Sequence, residues 1–241
     1  MASIDTSPSV LKNNEACKLL EEGHHMEAYA LFEVATMELR HSIGMGAPAP
    51  QPRDLRCKSS HLSSDSKTTA SDFLPLPSFN LKVYCRPVKL RVGGENTPEE
   101  TVAFALTFNL ALALHVRAIE LANNGEKVLK PFNDAEALYK LSLRQATISL
   151  DATHGDLGLS FTEDRNGYVY AAIFNNLAHI HKALGKDLEA VASGIDLMNT
   201  LFWVVTRRPC PMRDDESKLF DSFMKNASQL TMASTFPAAA A

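Results

Sequence analysis

The sequence predicts an all-α protein built from antiparallel helix pairs, and three observations support this class. Apolar residues recur at helical spacing over most of the chain. Alanine and glycine return at fixed offsets in three segments, which is typical of stacked helical repeats. The stretch 81–92 alternates only loosely and contains Pro87, whose missing backbone donor disfavours a central strand. We therefore expect about three irregular helical units and a C-terminal capping helix.

Residues 8–43 are predicted to form the first helix pair. Gly23 divides this stretch into two helices, because glycine lets the chain reverse sharply. Residues 44–80 are rich in proline and serine and bury too little apolar surface to offset chain entropy, so they predict a mobile linker. Residues 81–96 are predicted to be an extended segment that lies against the helices.

A larger helical domain is predicted over residues 97–232. Thr97, Pro98 and Glu100 have the order of a helix cap, so a long helix should begin there. Asn133 and Glu136 repeat the arrangement and predict the start of another helix. The pattern predicts further helices over 168–184, 187–205 and 214–232, and a frayed tail over 233–241.

Three segments share a small residue at the eighth position of a repeat, and most of them have glycine at the fifteenth and alanine at the twentieth. This is the helix–turn–helix spacing of tetratricopeptide repeats (TPRs), which the segments resemble. Two helices cross closely only where small side chains face each other. The predicted packing residues are Ala16, Gly23, Ala28, Phe32 and Ala35 in the first unit, Leu110, Ala111, Ala135 and Tyr139 in the second, and Leu177, Ala178, Gly185 and Ala190 in the third.

The units also depart from a regular array. Ala111 and Ala135 are separated by twice the repeat spacing, so the second unit carries an insertion. Gly194 stands where the third unit should have its aromatic residue, and the linker separates the first unit from the second. We therefore expect irregular stacking.

The stretch from Thr101 onward resembles a narrower family. The runs FNLALALH, EALYKLSL, FNNLAHIHKALG and MNTLFWVV, the alanine-rich end, and the earlier VYCRPVKL are similar to uncharacterised diatom proteins with degenerate TPRs. The resemblance implies a helical-repeat fold. It brings no catalytic residues and no assigned activity.

No arrangement typical of an enzyme is recognisable. The chain lacks the glycine-rich phosphate-binding patterns and the nucleophile-elbow pattern. His179 and His181 are two residues apart and point to different helix faces, whereas helical metal pairs are four apart. Cys57 and Cys210 lie beside basic residues that lower a thiol pKa, but nothing else indicates a catalytic cysteine. We expect no catalysis, no metal and no cofactor.

Charge and hydropathy limit the kinds of partner. The 24 basic and 28 acidic residues give a net charge of −4, which disfavours nucleic-acid binding. The longest nearly uncharged stretch, 101–116, is shorter than the ~20 residues of a membrane span and is predicted to be a buried helix. The first residues lack the pattern of a secretory signal, and the four cysteines are far apart. We expect an intracellular protein, cytoplasmic or nuclear, with no membrane contact.

The function predicted for this fold is a non-catalytic interaction scaffold, since helical repeats bind a peptide or a partner helix in a concave groove. The partner would be another protein of unknown identity. Counting by the repeat register, the candidate groove residues are Phe108, Leu112 and His115 in the second unit, and Asn175, His179 and Lys182 in the third.

Two alternatives remain open at this level. Residues 81–92 or the last helix could fill the groove from within. The protein could also be structural and self-associating, a homo-oligomer without a peptide ligand that pairs through the apolar stretch 201–205.

Overall fold

The computed structural model describes residues 7–44, 81–90, 98–152, 166–207, 212 and 214–235. These residues form seven α-helices and one extended segment, and no strand occurs among them, so the all-α prediction is confirmed. The helices are α1 (Pro8–Glu21), α2 (His25–Ser42), α3 (Glu99–Asn123), α4 (Leu129–Ala152), α5 (Asn166–Ala183), α6 (Asp187–Arg207) and α7 (Asp214–Thr235).

Successive helices pack as hairpins, α1 with α2, α3 with α4 and α5 with α6, and α7 packs against α6. The three hairpin turns have the same backbone conformation. Gly23, Gly125 and Gly185 have φ values of 88°, 74° and 69°, the left-handed region that glycine adopts without strain. The amide after each glycine bonds to the carbonyl five residues earlier, at 2.9, 2.8 and 2.8 Å. This shared C-cap satisfies the last carbonyls of α1, α3 and α5 and turns the chain into its partner helix.

Most of the predicted packing residues lie in the interior, and the exceptions are the exposed turn residues Gly23 and Gly185. Eleven of them are buried: Ala16, Ala28, Phe32, Ala35, Leu110, Ala111, Ala135, Tyr139, Leu177, Ala178 and Ala190. Ala178 of α5 and Ala190 of α6 pack together with Leu230 of α7. Their small size lets α5 and α6 approach closely, as the spacing predicts.

Two helix boundaries differ from the prediction. α4 begins at Leu129, so the prediction that Asn133 opens this helix is wrong. Glu136 lies inside the helix and pairs with cations of α4 and the α5–α6 turn, which the repeat pattern could not reveal. α3 has Pro98 at its N-cap, while Thr97 lies outside the described residues. The predicted linker, except for Gly44, and the last six residues of the predicted tail also lie outside them.

Two of the described helices are long and apolar enough to span a membrane by length and composition alone, namely Glu99–Asn123 and Asp187–Thr206. Core helices meet the same criterion, and α3 is one of them, because 72% of its apolar window is buried. Only 33% of the corresponding window of α6 is buried. α6 therefore exposes much of its apolar surface.

Candidate functional site

Residues 81–90, the groove segment, lie as an extended chain across α1, α3, α5 and α7. One asparagine from each helix, a clamp asparagine, bonds both backbone groups of one residue in this segment. Its Oδ1 accepts from the N–H and its Nδ2 donates to the carbonyl. The pairs, with the two distances in that order, are Asn226 with Lys82 (3.2 and 2.8 Å), Asn176 with Tyr84 (2.9 and 3.0 Å), Asn109 with Val88 (2.8 and 2.9 Å) and Asn14 with Leu90 (2.8 and 2.7 Å).

The clamp hydrogen bonds are made to backbone groups and not to side chains. In an extended chain the N–H and C=O of one residue point to the same side, and the next residue points to the other. A carboxamide carries one acceptor and two donors, so it can pair with both groups at once. The four residues that are held all have even numbers. The segment runs opposite to the helix order, from α7 at Lys82 to α1 at Leu90.

Further amides and a thiol surround two of the carbonyls. The Val88 carbonyl also accepts from Asn13 Nδ2 at 3.1 Å and from Cys17 Sγ at 3.4 Å. The Lys82 carbonyl also accepts from Asn175 Nδ2 at 2.9 Å. Two clamp asparagines also donate to these additional amides. Asn109 Nδ2 donates to Asn13 Oδ1 at 2.9 Å, and Asn226 Nδ2 donates to Asn175 Oδ1 at 2.6 Å. Because buried amides are costly unless paired, this network stabilises only a groove that contains an extended chain.

Three side chains of the segment anchor it. The Tyr84 ring lies 6.5 Å from that of Phe108 and 5.9 Å from that of Phe223, measured between centroids. Val88 and Leu90 are 7% and 6% exposed and belong to the hydrophobic core. The segment's three basic side chains, Lys82, Arg86 and Lys89, belong to exposed residues. The groove therefore takes apolar side chains at three even positions and leaves the basic ones at the surface, where Lys89 pairs with Glu21 at 2.7 Å.

The predicted groove residues divide into two groups. Phe108 and Asn175 contact the groove segment, through the Tyr84 ring and the Lys82 carbonyl. Leu112, His115 and His179 are also buried, and their role in a groove stays a prediction. Lys182 pairs with Asp187 at 2.5 Å. Of the arrangements left open by the sequence, the structure has the groove filled by residues 81–90.

His115 and His179 join α3 to α5 beneath the groove. His115 Nε2 lies 3.0 Å from His179 Nδ1, and the rings of Phe132 and Tyr139 meet His115 edge-on at about 6 Å. Burial lowers the pKa of His179 to about 4. Burial, with His179 nearby, also holds the pKa of His115 well below its usual range. Both imidazoles are therefore neutral near pH 7.

Glu136 is the centre of a charged cluster at the α4–α5–α6 junction. Its carboxylate lies 2.5 Å from Lys140 Nζ, 2.7 Å from Lys186 Nζ and 3.3 Å from His181 Nε2. Burial raises the pKa of this carboxyl, but the hydrogen bonds and charges of Lys140 and Lys186 outweigh burial and lower the pKa to about 2. The cluster is a paired structural ion group and leaves the carboxylate no free proton to transfer at neutral pH.

The described residues contain no group of three or more histidine, cysteine or acidic side chains placed to hold a metal ion. Burial raises the pKa of Cys17 to about 12, so its thiol is protonated and a poor nucleophile. Cys57 and Cys210 lie outside the described residues. The chemistry supported by the site is hydrogen bonding to an extended backbone.

Sequence reasoning misses the clamp asparagines as ligand-contacting residues, although a signal for them is present. Each clamp asparagine stands two residues before a small residue, as in Asn14–Ala16, Asn109–Ala111, Asn176–Ala178 and Asn226–Ser228. A helix advances about 200° over two residues, so an asparagine two before the packing position faces away from the partner helix. The recurrence of a polar amide at that position is the feature that identifies the site.

Comparison with protein-family models, with curated proteins and with solved structures finds no match to this chain.

Proposed function

We propose that this protein is a non-catalytic, TPR-like interaction module that binds an extended peptide segment of a partner protein along its clamp asparagines. In this proposal the groove segment occupies the site within the same chain until a partner displaces it. The observation that carries the proposal is the double hydrogen bond of each clamp asparagine to one backbone residue.

The geometry favours an extended partner over a helical one. The N–H and C=O groups of a helix bond to each other along the helix and are not available to a side-chain amide. Each clamp asparagine needs both groups of one residue free and on the same side, which an extended chain provides. The clamp amides are uncharged, so they bind without requiring a terminal carboxylate or a phosphate. This supports binding to internal segments of a partner.

The chain length around the groove segment is compatible with exchange. Residues 43–80 separate the segment from α2, and residues 91–98 separate it from the start of α3. A tether of this length lets the segment leave the groove while α2 keeps its place. A tethered occupant has a high effective concentration, so a partner must bind more tightly or be present at high concentration.

The experiment that tests the proposal cuts the groove segment from the chain, so that a free peptide can replace it. Recognition sequences for a site-specific protease are inserted after residues 70 and 94, and the purified full chain is cut at both. A labelled synthetic peptide of residues 79–92 is then added, and fluorescence polarisation follows its binding. We expect saturable binding that unlabelled peptide reverses.

Two variants make this experiment specific. Asn109→Asp removes the clamp donor and places a negative charge near the Val88 carbonyl, so it should weaken peptide binding about tenfold or more. Asn199→Asp makes the same change at an exposed position of α6 and should leave binding unchanged. If the labelled peptide bound equally well to the Asn109→Asp variant, the proposal would be contradicted.

A structural role without a peptide ligand is the second candidate. Val88 and Leu90 are part of the main hydrophobic core, which favours a segment that is held permanently. In that case the cut chain would retain its own segment, the labelled peptide would not enter, and removal of the segment would unfold the helices. If the labelled peptide replaced the cut segment and the circular dichroism signal of the helices stayed intact, the interaction module would be supported instead.

A further inference from the structure

We infer that the partner's extended segment repeats the pattern of the groove segment, the anchor pattern. It has leucine, two residues, an aromatic residue, three residues, valine, one residue and leucine, with proline directly before the valine. This inference rests on the proposed function and specifies the chemistry of the partner. Each position of the pattern follows from a clamp hydrogen bond, from a side-chain contact, or from a backbone group that the clamp asparagines do not use.

The clamp hydrogen bonds determine which backbone amides the partner must keep. The N–H groups of Lys82, Tyr84, Val88 and Leu90 donate to clamp asparagines at 3.2, 2.9, 2.8 and 2.8 Å. Proline has no N–H, so at any of these positions it would leave an asparagine oxygen without its donor. Because an unpaired buried acceptor is costly, proline is excluded from these four positions of a partner.

Pro87 lies at a position where the clamp asparagines use no N–H. It stands between the Tyr84 and Val88 clamps, at an odd-numbered residue. Proline fixes its own φ near −65° and pushes the residue before it towards an extended conformation. A segment with proline here loses less conformational entropy when it binds. Proline is therefore favoured at this position of the partner.

Four side chains of the groove segment make apolar contacts that a partner must reproduce. Leu81 packs against the close crossing of α5 and α6. The Tyr84 ring packs against one aromatic ring of α3 and one of α7, at centroid distances of 6.5 and 5.9 Å. Val88 and Leu90 belong to the main hydrophobic core. The spacing of these four contacts gives the apolar positions of the anchor pattern.

Val88 is the most closely surrounded position. Its carbonyl accepts from Asn109 Nδ2, Asn13 Nδ2 and Cys17 Sγ at 2.9, 3.1 and 3.4 Å, and the residue is 7% exposed. A β-branched side chain also favours the extended backbone that the clamp asparagines need. Because protein cores are close-packed, a larger or charged side chain at this position should prevent binding.

The basic side chains of the segment are not part of the anchor pattern. Lys82, Arg86 and Lys89 are exposed residues. The pair of Lys89 with Glu21 joins two side chains that are about half exposed, and such surface pairs contribute little to affinity. Replacing these basic side chains in a partner should therefore leave binding nearly unchanged.

The test is competition of unlabelled peptides with the labelled peptide for the cut chain. Methylation of one peptide nitrogen removes one N–H and leaves the side chain unchanged. At Tyr84 or Val88 it should raise the concentration needed for half displacement about tenfold or more. At Cys85 or Lys89, the matched controls, it should raise this concentration less than about threefold. Since every change is in the peptide, the fold of the protein is the same in all measurements.

A second set of peptides tests the side chains. Tyr84→Ala and Val88→Asp peptides should compete about tenfold or more weakly than the unmodified peptide, and Arg86→Ala should compete equally well. A further peptide keeps only the five residues of the anchor pattern and has serine or threonine elsewhere. It should compete within about fivefold of the unmodified peptide, because a few anchors carry most of the binding energy.

The outcomes separate this inference from the proposed function. If the unmodified peptide did not enter the cut chain, both would be contradicted. If peptides methylated at even and odd positions competed equally, or if a scrambled peptide competed as well as the unmodified one, the anchor pattern would be overturned while exchange of the groove segment would stand.

Discussion

The Asn176 carboxamide bonds to both backbone groups of Tyr84, accepting from its N–H at 2.9 Å and donating to its carbonyl at 3.0 Å. The same amide donates to the Tyr139 hydroxyl at 2.9 Å. One side chain of α5 therefore fixes the groove segment and α4 together. Because Asn176 is fully buried, every one of these bonds replaces a bond to water.

Replacing Asn176 with alanine should destabilise the protein by about 2–3 kcal/mol. The change leaves the N–H and C=O of Tyr84 without the Asn176 amide in a partly buried setting, and an unpaired buried group costs about 1–3 kcal/mol. Urea unfolding followed by circular dichroism measures the loss. Asn199→Ala, on the exposed side of α6, is the control and should change stability by less than about 0.5 kcal/mol. Equal effects for the two variants would mean that the clamp bond contributes nothing.

Tyr84→Ala should release the groove segment more readily. The ring packs against Phe108 and Phe223, so its loss weakens the anchoring between Lys82 and Val88. Trypsin cleavage after Lys82 and Lys89 reports release, because a protease needs the backbone free of its partners. The variant should be cut several-fold faster at both sites. Cys85→Ala, at the exposed neighbouring residue, should be cut at the wild-type rate, and an equal rise there would argue against a specific role of the Tyr84 ring.

The buried histidine pair should make stability depend on pH below about 6.5. Burial lowers the pKa of His179 from 6.5 to about 4, so between these values the unfolded chain binds more protons than the folded one. Stability is therefore full above about pH 6.5 and falls as the pH drops towards 4, by roughly 3 kcal/mol for this group. Denaturant midpoints at pH 7.5 and 5.0 measure how the free energy of unfolding changes with pH.

A histidine variant isolates this effect. His115→Gln/His179→Gln should flatten the pH dependence between 6.5 and 4, and His41→Gln, at an exposed histidine of α2, should leave the slope unchanged. Glu136 acts in a separate range, since its pKa of about 2 makes its contribution disappear only as the pH falls below about 4.5. An unchanged slope in the double variant would contradict the account of the pair.

Gly167→Ala should destabilise the contact between α5 and α6. A Cβ at Gly167 would lie 2.1 Å from Val204 Cγ2, which forces the helices apart. Overpacking of this kind costs about 1–3 kcal/mol. Gly194→Ala is the comparison, because its Cβ would lie 3.0 Å from the Leu230 Cβ, a smaller overlap. Thermal unfolding should show a larger drop in melting temperature for Gly167→Ala than for Gly194→Ala. The reverse order would contradict the expected clash between α5 and α6.

The helix pairs were predictable from sequence because their determinants are local. Gly23 and Gly185 mark turns through backbone freedom, and Ala178 and Ala190 mark a close crossing through size. The clamp asparagines were not assigned, because their ligand is a segment tens of residues away along the chain and no local pattern states which groups will face it. Glu136 was misread for a similar reason, since its partner Lys186 lies fifty residues further along.

Amide hydrogen exchange within the groove segment tests the central claim most directly. The account predicts an alternating pattern by NMR, in which the amides of Tyr84, Val88 and Leu90 are protected by the clamp asparagines and those of Val83, Cys85 and Lys89 exchange quickly. Asn176→Ala should abolish protection at Tyr84 while Leu90 keeps most of its own. Uniformly fast exchange along residues 81–90 would contradict the account, because it would mean that the clamp asparagines do not hold this segment.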